Sequence, residues 1–323
     1  LDPVLETEIK ALAFDAGLAT RIGGKTDLEA WLGEYTPDKV AAVLTRTWPD
    51  LLPPAPAAAP LAQVPTRPAQ MCPGCGHRSA FHAIRAALAE KDITVADIGC
   101  HTLGYLPPYR VGELLMCMGA STGMASGLSL FNSTRRVVAF LGDSTFFHAG
   151  LPGILNALFN RHNLTLIVME NGTTAMTGHQ GHPAAGKNFN GPSAPIPVRR
   201  VLEGFGVKSI FEVDTYQQAR LTEAVQSALA AEAFSVVIAR HPCMLQFMRE
   251  RRRTNSFRPR RVAISEASCD RRHVCVSEFA CPTFQREAGG RITVNPDLCI
   301  GDGSCLQVCP VSALERPTQG GTT

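Results

Sequence analysis

Long apolar runs are missing from this sequence: none reaches the roughly 18 residues that a membrane-spanning helix needs. The opening residues also lack the basic-then-apolar layout of a secretory signal, so a cytoplasmic globular protein without a membrane segment is expected. Charge of one sign is scarce as well. The 31 Lys and Arg nearly balance the 28 Asp and Glu, and a net +3 over 323 residues excludes the strongly basic face that binds nucleic acid. The one local exception, Arg249 to Arg261, reads as a solvated linker. The first residue is Leu1 rather than Met, and Leu1 to Leu32 reads as amphipathic helix and loop without a fold of its own. A piece of a longer polypeptide is therefore expected.

What the chain does have is cysteine, eleven in all. In a reducing compartment thiols stay free, so this number points to metal or redox chemistry rather than a disulfide framework. With 45% hydrophobic and 18% charged residues the chain can bury a substantial core and hold two or three domains.

Composition marks the divisions. Residues 1–51 form the end of a preceding domain, and 52–69, rich in Pro and Ala, form an extended linker. From 70 to 248, helical patterns alternate with apolar runs at Val95-Ile98, Val137-Leu141, Leu164-Met169 and Phe234-Ala239, which predicts an α/β fold with a parallel sheet. Residues 249–262 are the basic linker. The remainder, 263–323, is short and cysteine-dense with little apolar periodicity, so its fold is expected to depend on metal.

Two turns carry the first constellation. Val137-Leu141 ends in Gly142-Asp143-Ser144, a helical stretch follows from about Gly150 to Asn160, and a second apolar strand ends in Glu170-Asn171-Gly172. In a parallel sheet both turns lie at the C-terminal strand edge, where Asp143 and Asn171 can approach one hard cation and Gly142 lets the backbone near a phosphate. Gly-Asp-Ser alone is an ordinary strand-ending turn; the spacing to Asn171 is what singles it out. The small residues of Met118-Gly119-Ala120-Ser121-Thr122-Gly123 suit either a phosphate at a helix start or close helix packing.

The second constellation is Cys72-Pro73-Gly74-Cys75-Gly76-His77, followed by Cys100 after Asp97-Ile98-Gly99. Two thiolates on one turn suit zinc, a redox dithiol or an iron-sulfur cluster.

Gly-Asp-Ser through Asn171 resembles the signature of thiamine diphosphate enzymes, with Ser144 where a second Gly usually stands. Cys-Pro-Gly-Cys-Gly, Asp-Ile-Gly-Cys, Met-Gly-Ala-Ser-Thr-Gly-Met, Gly-Asp-Ser and Thr-Ala-Met-Thr-Gly-His-Gln, in that order over about residues 70 to 245, resemble the 2-oxoacid:ferredoxin oxidoreductases. Gly142 to His148 and Thr173 to Gln180 look like the indolepyruvate branch. The resemblance implies Mg²⁺ held by Asp143, Asn171 and the Thr173 carbonyl against thiamine diphosphate, with Gly119, Ala120, Ser121, Gly142 and Ser144 around the cofactor. It also implies a proximal 4Fe-4S cluster on Cys72, Cys75, Cys100 and the late Cys243. Cys117 is left over as a buried small apolar residue. His179 and His182 are candidates for contact with substrate.

The C-terminal module contains a repeat. Cys269, Arg272 and Cys275 recur thirty residues later as Cys299, Asp302 and Cys305, and the halves close on Cys281-Pro282 and Cys309-Pro310. In two-cluster ferredoxins the fourth cysteine of each run serves the other cluster. The rule yields two incomplete sets: Cys269, Cys275 and Cys309 with Arg272 at the gap, and Cys281, Cys299 and Cys305 with Asp302 at the gap. Arg272 has no lone pair to offer; Asp302 can supply an oxygen. Three-iron clusters, one four-iron cluster completed by Asp302, and an emptied scaffold all remain open.

The expectation is an α/β, parallel-sheet thiamine diphosphate-binding domain followed by a small ferredoxin-like α+β module. The resemblance implies oxidative decarboxylation of an arylpyruvate with coenzyme A to aryl-acetyl-CoA and CO₂, with electrons passing to ferredoxin or another acceptor. A pyrimidine-binding domain and a gamma-type domain must come from elsewhere, and a dimer of the full assembly is expected. The alternatives are a non-oxidative thiamine decarboxylase, which has no use for four converging cysteines, and an electron-transfer or scaffold subunit with vestigial thiamine binding.

Overall fold

The computed structural model describes residues 3–25, 31–50, 68–132, 134–253 and 259–316. The Pro/Ala linker lies almost wholly outside the described residues, as does part of the basic one. Two compact units result, Leu1–Arg67 and Pro68–Thr323. The first carries helices α1 (Pro3–Asp15) and α2 (Pro37–Thr47). Helix α2 starts where Thr36 accepts the Lys39 N–H at 3.3 Å and Pro37 follows at the first helical position.

The second unit is built on five strands: β1 (Ile93–Val95), β2 (Val137–Gly142), β3 (Thr165–Glu170), β6 (Ser209–Asp214) and β7 (Ser235–Arg240). All pair parallel in the order β1-β2-β3-β7-β6. The pleat sends alternate residues to opposite faces, and both faces are dry. Val137, Ala139, Leu141, Leu166, Val168, Val236 and Ile238 pack on one side against helices α4 (Ser121–Ser129), α6 (Leu151–Phe159) and α7 (Val198–Gly204). Val138, Phe140, Ile167, Met169, Val237 and Ala239 pack on the other, against α3 (Gly76–Ala87) and α8 (Gln218–Ala230). This is why these runs are apolar throughout instead of alternating.

Two differences from the sequence reading have plain causes. Strand β1 ends at Val95, earlier than the apolar run suggested, because Asp97 turns its carboxylate inward to backbone amides and bends the chain out of the ladder. Strand β6 was not anticipated. It is one of the two edges of the sheet, only partly covered, and its sequence Ser-Ile-Phe-Glu-Val-Asp mixes polar with apolar residues.

A short hairpin, β4 (Lys187–Asn188) and β5 (Gly191–Pro192), follows the β3 turn, and helix α9 (Met244–Arg252) follows β7. Beyond it, β8 (Ala263–Ile264) pairs with β11 (Leu314–Glu315), and β9 (Phe284–Arg286) with β10 (Ile292–Val294), around helix α10 (Val274–Ser277). This is the ferredoxin-like module. It has a small core of its own in which Cys281, Cys299 and Cys305 lie buried among Val262, Phe279, Phe284, Ile292 and Leu314.

The module is anchored by buried polar contacts. Arg78, 2% exposed on α3, donates to the carbonyls of Phe279 (3.2 Å), Ala280 and Met71, and Tyr109 Oη donates to Phe279 O at 2.7 Å. Substituting Arg78→Met strands these buried carbonyls, which should cost about 3 kcal/mol. Urea unfolding checks this; a variant as stable as wild type would mean that the anchor contributes little.

Candidate functional site: four strand ends at one sheet edge

The C-terminal edge of the sheet gathers the chemistry. Asp143 leaves β2, Asn171 leaves β3, Cys100 follows β1 and Cys243 follows β7. Because β2, β3 and β7 are adjacent, residues some seventy positions apart meet there. Cys243 N–H, for example, donates to Asn171 O at 2.9 Å.

Asp143 is 2% exposed. Its Oδ1 accepts from Ser144 N at 2.8 Å, and its Oδ2 accepts from Asn171 N at 2.9 Å and Gly172 N at 2.7 Å. His182 Nε2 lies 3.2 Å from Oδ2 but is turned too far to donate. No Lys or Arg compensates this buried carboxylate among the described residues, so amide dipoles alone stabilise it. Asn171 Oδ1 accepts from Thr173 N at 3.0 Å, and Thr173 is buried. Asp143, Asn171 and Thr173 line one small cleft, and oxygen donors around an uncompensated buried charge fit a hard cation. His101 Nε2, buried and unpartnered, belongs to a residue lining the same cleft and adds a further polar group.

The turn at Gly119, Ala120 and Ser121 differs from the phosphate cradle that its small residues suggested. The amides of Gly119 and Ser121 donate to the Asp97 carboxylate at 2.9 to 3.1 Å, and Ala120 N donates to Cys117 O at 3.1 Å. All three donors are therefore engaged within the chain. Close packing explains the glycine: Gly119 has φ +92°, and a Cβ there would lie 2.4 Å from Ala149 Cβ. Ser144 likewise uses its hydroxyl internally, with Thr174 and His148. Gly142 approaches the His101 ring, where a Cβ would stand 3.0 Å from the imidazole.

Cys72, Cys75, Cys100 and Cys243 come within electrostatic reach of one another. Burial, then Cys75, Cys243 and Cys72, push the Cys100 thiol up to about 11, and burial followed by Cys75 and Cys243 raises Cys72. Among the described residues no three His, Cys, Asp or Glu side chains could hold a single metal ion. Four converging but separated thiols suit a cluster, whose thiolates sit on different irons, better than zinc, whose ligands all lie about 2.3 Å from one centre. Cys117 is exposed rather than buried: it lies in a surface run with Leu115, Met116 and Met118, outside the packed helices.

In the module, burial followed by Cys269 and Cys309 raises Cys275 to about 11, and burial followed by Asp302, Cys281 and Cys299 raises Cys305. Each trio of thiols is therefore assembled across the repeat. Arg272 turns outward, donating to Asp270 Oδ2 at 2.5 Å. Asp302 Oδ1 accepts from Ser304 N at 2.9 Å and from the Ser304 hydroxyl. The Asp302 trio faces the proximal thiols, since Gly74, at φ +67°, leaves room for Ile300 and Asp302 where a Cβ would come within 2.3 and 3.1 Å.

His182 is buried, whereas His179 is partly buried with φ +66°. Sequence reasoning missed Asp97, fully buried, and the stacked pair His77 and His101, whose rings stand 6.3 Å apart. Burial lowers these two imidazoles to about 4 and about 3, with a smaller opposing effect of Asp143 on each, and keeps them neutral. The signal for Asp97 was present: it follows a strand as Asp143 does.

A parallel sheet with a strand-end Asp and Asn and a four-thiol site on the same edge defines a thiamine diphosphate-binding, iron-sulfur protein. The family described as thiamine pyrophosphate enzyme, C-terminal TPP binding domain, matches residues 97–239, and the 4Fe-4S binding domain matches residues 292–315. The chain is 37% identical over 323 residues to indolepyruvate oxidoreductase subunit IorA of Methanothermobacter marburgensis, covering 98% of this chain and 50% of that protein. It is 36% identical over 340 residues to the subunit of the same name from Pyrococcus horikoshii, covering 99% and 52%. The fold is similar to that of 2-oxoglutarate:ferredoxin oxidoreductase from Magnetococcus marinus (TM-score 0.50, 22% identity, 59% of this chain and 71% of that one). The chain belongs to the 2-oxoacid:ferredoxin oxidoreductase family, in its indolepyruvate branch. It spans about half the length of the curated relatives it matches. No helix among the described residues is long and apolar enough to cross a membrane.

Proposed function

We propose that this chain is the thiamine diphosphate-binding and electron-relaying portion of an enzyme that oxidatively decarboxylates an arylpyruvate with coenzyme A to aryl-acetyl-CoA and CO₂. What supports this reading is the shared sheet edge: Asp143 and Asn171 stand on the strands flanked by those leading to Cys100 and Cys243. A non-oxidative decarboxylase needs the first pair only.

Thiamine diphosphate, when bound, supplies the electron sink for the decarboxylation. Asp143, Asn171 and Thr173 would hold Mg²⁺ at its diphosphate end, with Gly142 and Ser144 lining the same cleft. Cys72, Cys75, Cys100 and Cys243 hold the proximal 4Fe-4S cluster. The trios Cys281, Cys299 and Cys305, and Cys269, Cys275 and Cys309, would hold any further iron-sulfur clusters, which would supply electron transfer toward ferredoxin or another acceptor. A pyrimidine-binding domain and a gamma-type domain complete the enzyme, in a dimeric assembly. Its place is the cytoplasm, where the eleven free thiols stay reduced.

The test is turnover by the anaerobically purified complete enzyme. Ferredoxin or dye reduction should require both arylpyruvate and coenzyme A. Release of CO₂ and aldehyde without either coenzyme A or an acceptor would replace this reading with the non-oxidative one.

A further inference from the structure

Ser144 stands where the thiamine diphosphate signature usually has its second glycine, and its hydroxyl is bonded on both sides. Thr174 Oγ1 donates to Ser144 Oγ at 2.8 Å, and Ser144 Oγ lies 3.2 Å from His148 Nδ1. A hydroxyl carries one proton. With Thr174 donating to it, the Ser144 proton is free for Nδ1, which accepts it in the tautomer that carries its N–H on Nε2. Ser144 is only 6% exposed, so water competes little for these bonds.

His148 lies on the π-helical turn Phe146–Gly150 and borders an open groove shared with His179, His182, Lys187, Phe189 and Ile196. None of the described residues lining it is an Asp or Glu. Lys187 offers an ammonium group, while Phe189, 97% exposed, and Ile196, 50% exposed, offer unpartnered apolar surface. Such a lining suits a ligand with an anionic head and an aromatic body. Through His182, 3.2 Å from Asp143 Oδ2, the groove opens beside the carboxylate assigned to the metal-diphosphate end.

We propose that this groove takes the 2-oxo acid substrate, its carboxylate meeting His148 Nε2–H and Lys187 and its aryl ring lying on Phe189 and Ile196. Ser144 is then a positioning residue that sets the tautomer of His148. The proposal rests on the arylpyruvate reading above and names the surface that serves it.

In the complete enzyme, His148→Phe and Lys187→Met should each raise KM for phenylpyruvate by about tenfold or more while kcat moves less than about threefold. His148→Gln keeps an N–H donor and should recover much of the loss. Ser144→Ala should raise KM by a smaller factor, and Ser144→Ala combined with His148→Phe should match His148→Phe alone, because the hydroxyl acts only through the ring. Phe189→Ala should reduce the preference for phenylpyruvate over pyruvate. Unmoved KM in His148→Phe and Lys187→Met, additive effects in the double variant, or a Ser144→Ala effect confined to thiamine diphosphate affinity would each overturn the proposal. If the wild-type enzyme turns over no arylpyruvate, the functional reading fails. Equilibrium binding of phenylpyruvate still decides the groove: weakening in Lys187→Met supports it, and unchanged or absent binding refutes it.

Discussion

Replacing Asp143 with Asn should weaken Mg²⁺-dependent binding of thiamine diphosphate by on the order of 100-fold or more, since even partners outside a metal's ligand set cost about 10- to 100-fold. The Asn side chain has nearly the same shape and its one oxygen can still accept from Asn171 and Gly172, leaving only the Ser144 amide without its acceptor, but it removes the charge that the cation answers. Asp143→Ala is the less informative change. It strands three backbone donors at a buried position, each worth about 1–3 kcal/mol, so lost binding would be mixed with lost structure. Calorimetric titration of Asp143→Asn alongside its thermal midpoint separates the two. Wild-type affinity in Asp143→Asn would remove Asp143 from the metal site.

Cys100→Ser should lower iron and labile sulfide by about four per chain if Cys72, Cys75, Cys100 and Cys243 hold one 4Fe-4S cluster. Cys117 provides the internal control. It is exposed and outside the set, so Cys117→Ser should leave the iron content unchanged. Equal iron in Cys100→Ser and wild type would refute the assignment. Electron paramagnetic resonance on the same samples addresses the module: iron well beyond four in wild type means that at least one of its trios is filled, and about four means that both are empty.

The strand-turn-helix rhythm around Gly142 and Asn171 was legible because its signals are local. Apolar runs bounded by Gly, Asp and Asn report strands and their ends within a few residues. The edge strand β6 was not legible for the opposite reason, since its polar-apolar mixture reflects partial cover by neighbours that a local pattern does not reveal. Cys117 was misread on the same ground. A lone cysteine in a chain is usually packed, and only the course of the 114–118 segment puts this one on the surface. The Gly119 to Ser121 stretch was open between phosphate binding and packing, and the Asp97 carboxylate, which takes two of its three amides, was not visible as their partner in a linear reading.

By itself the sequence determined the fold class, the candidate oxygen and sulfur ligands, and the two gaps at Arg272 and Asp302, because residue chemistry and short-range spacing carry that information. Only the tertiary structure decided which of them meet. The strand order β1-β2-β3-β7-β6 brings Cys243 to Asn171 across 72 residues, and crossover connections of that length leave no trace in local periodicity. The docking of the module through Arg78, and the hydroxyl of Ser144 caught between Thr174 and His148, depend on the same long-range packing.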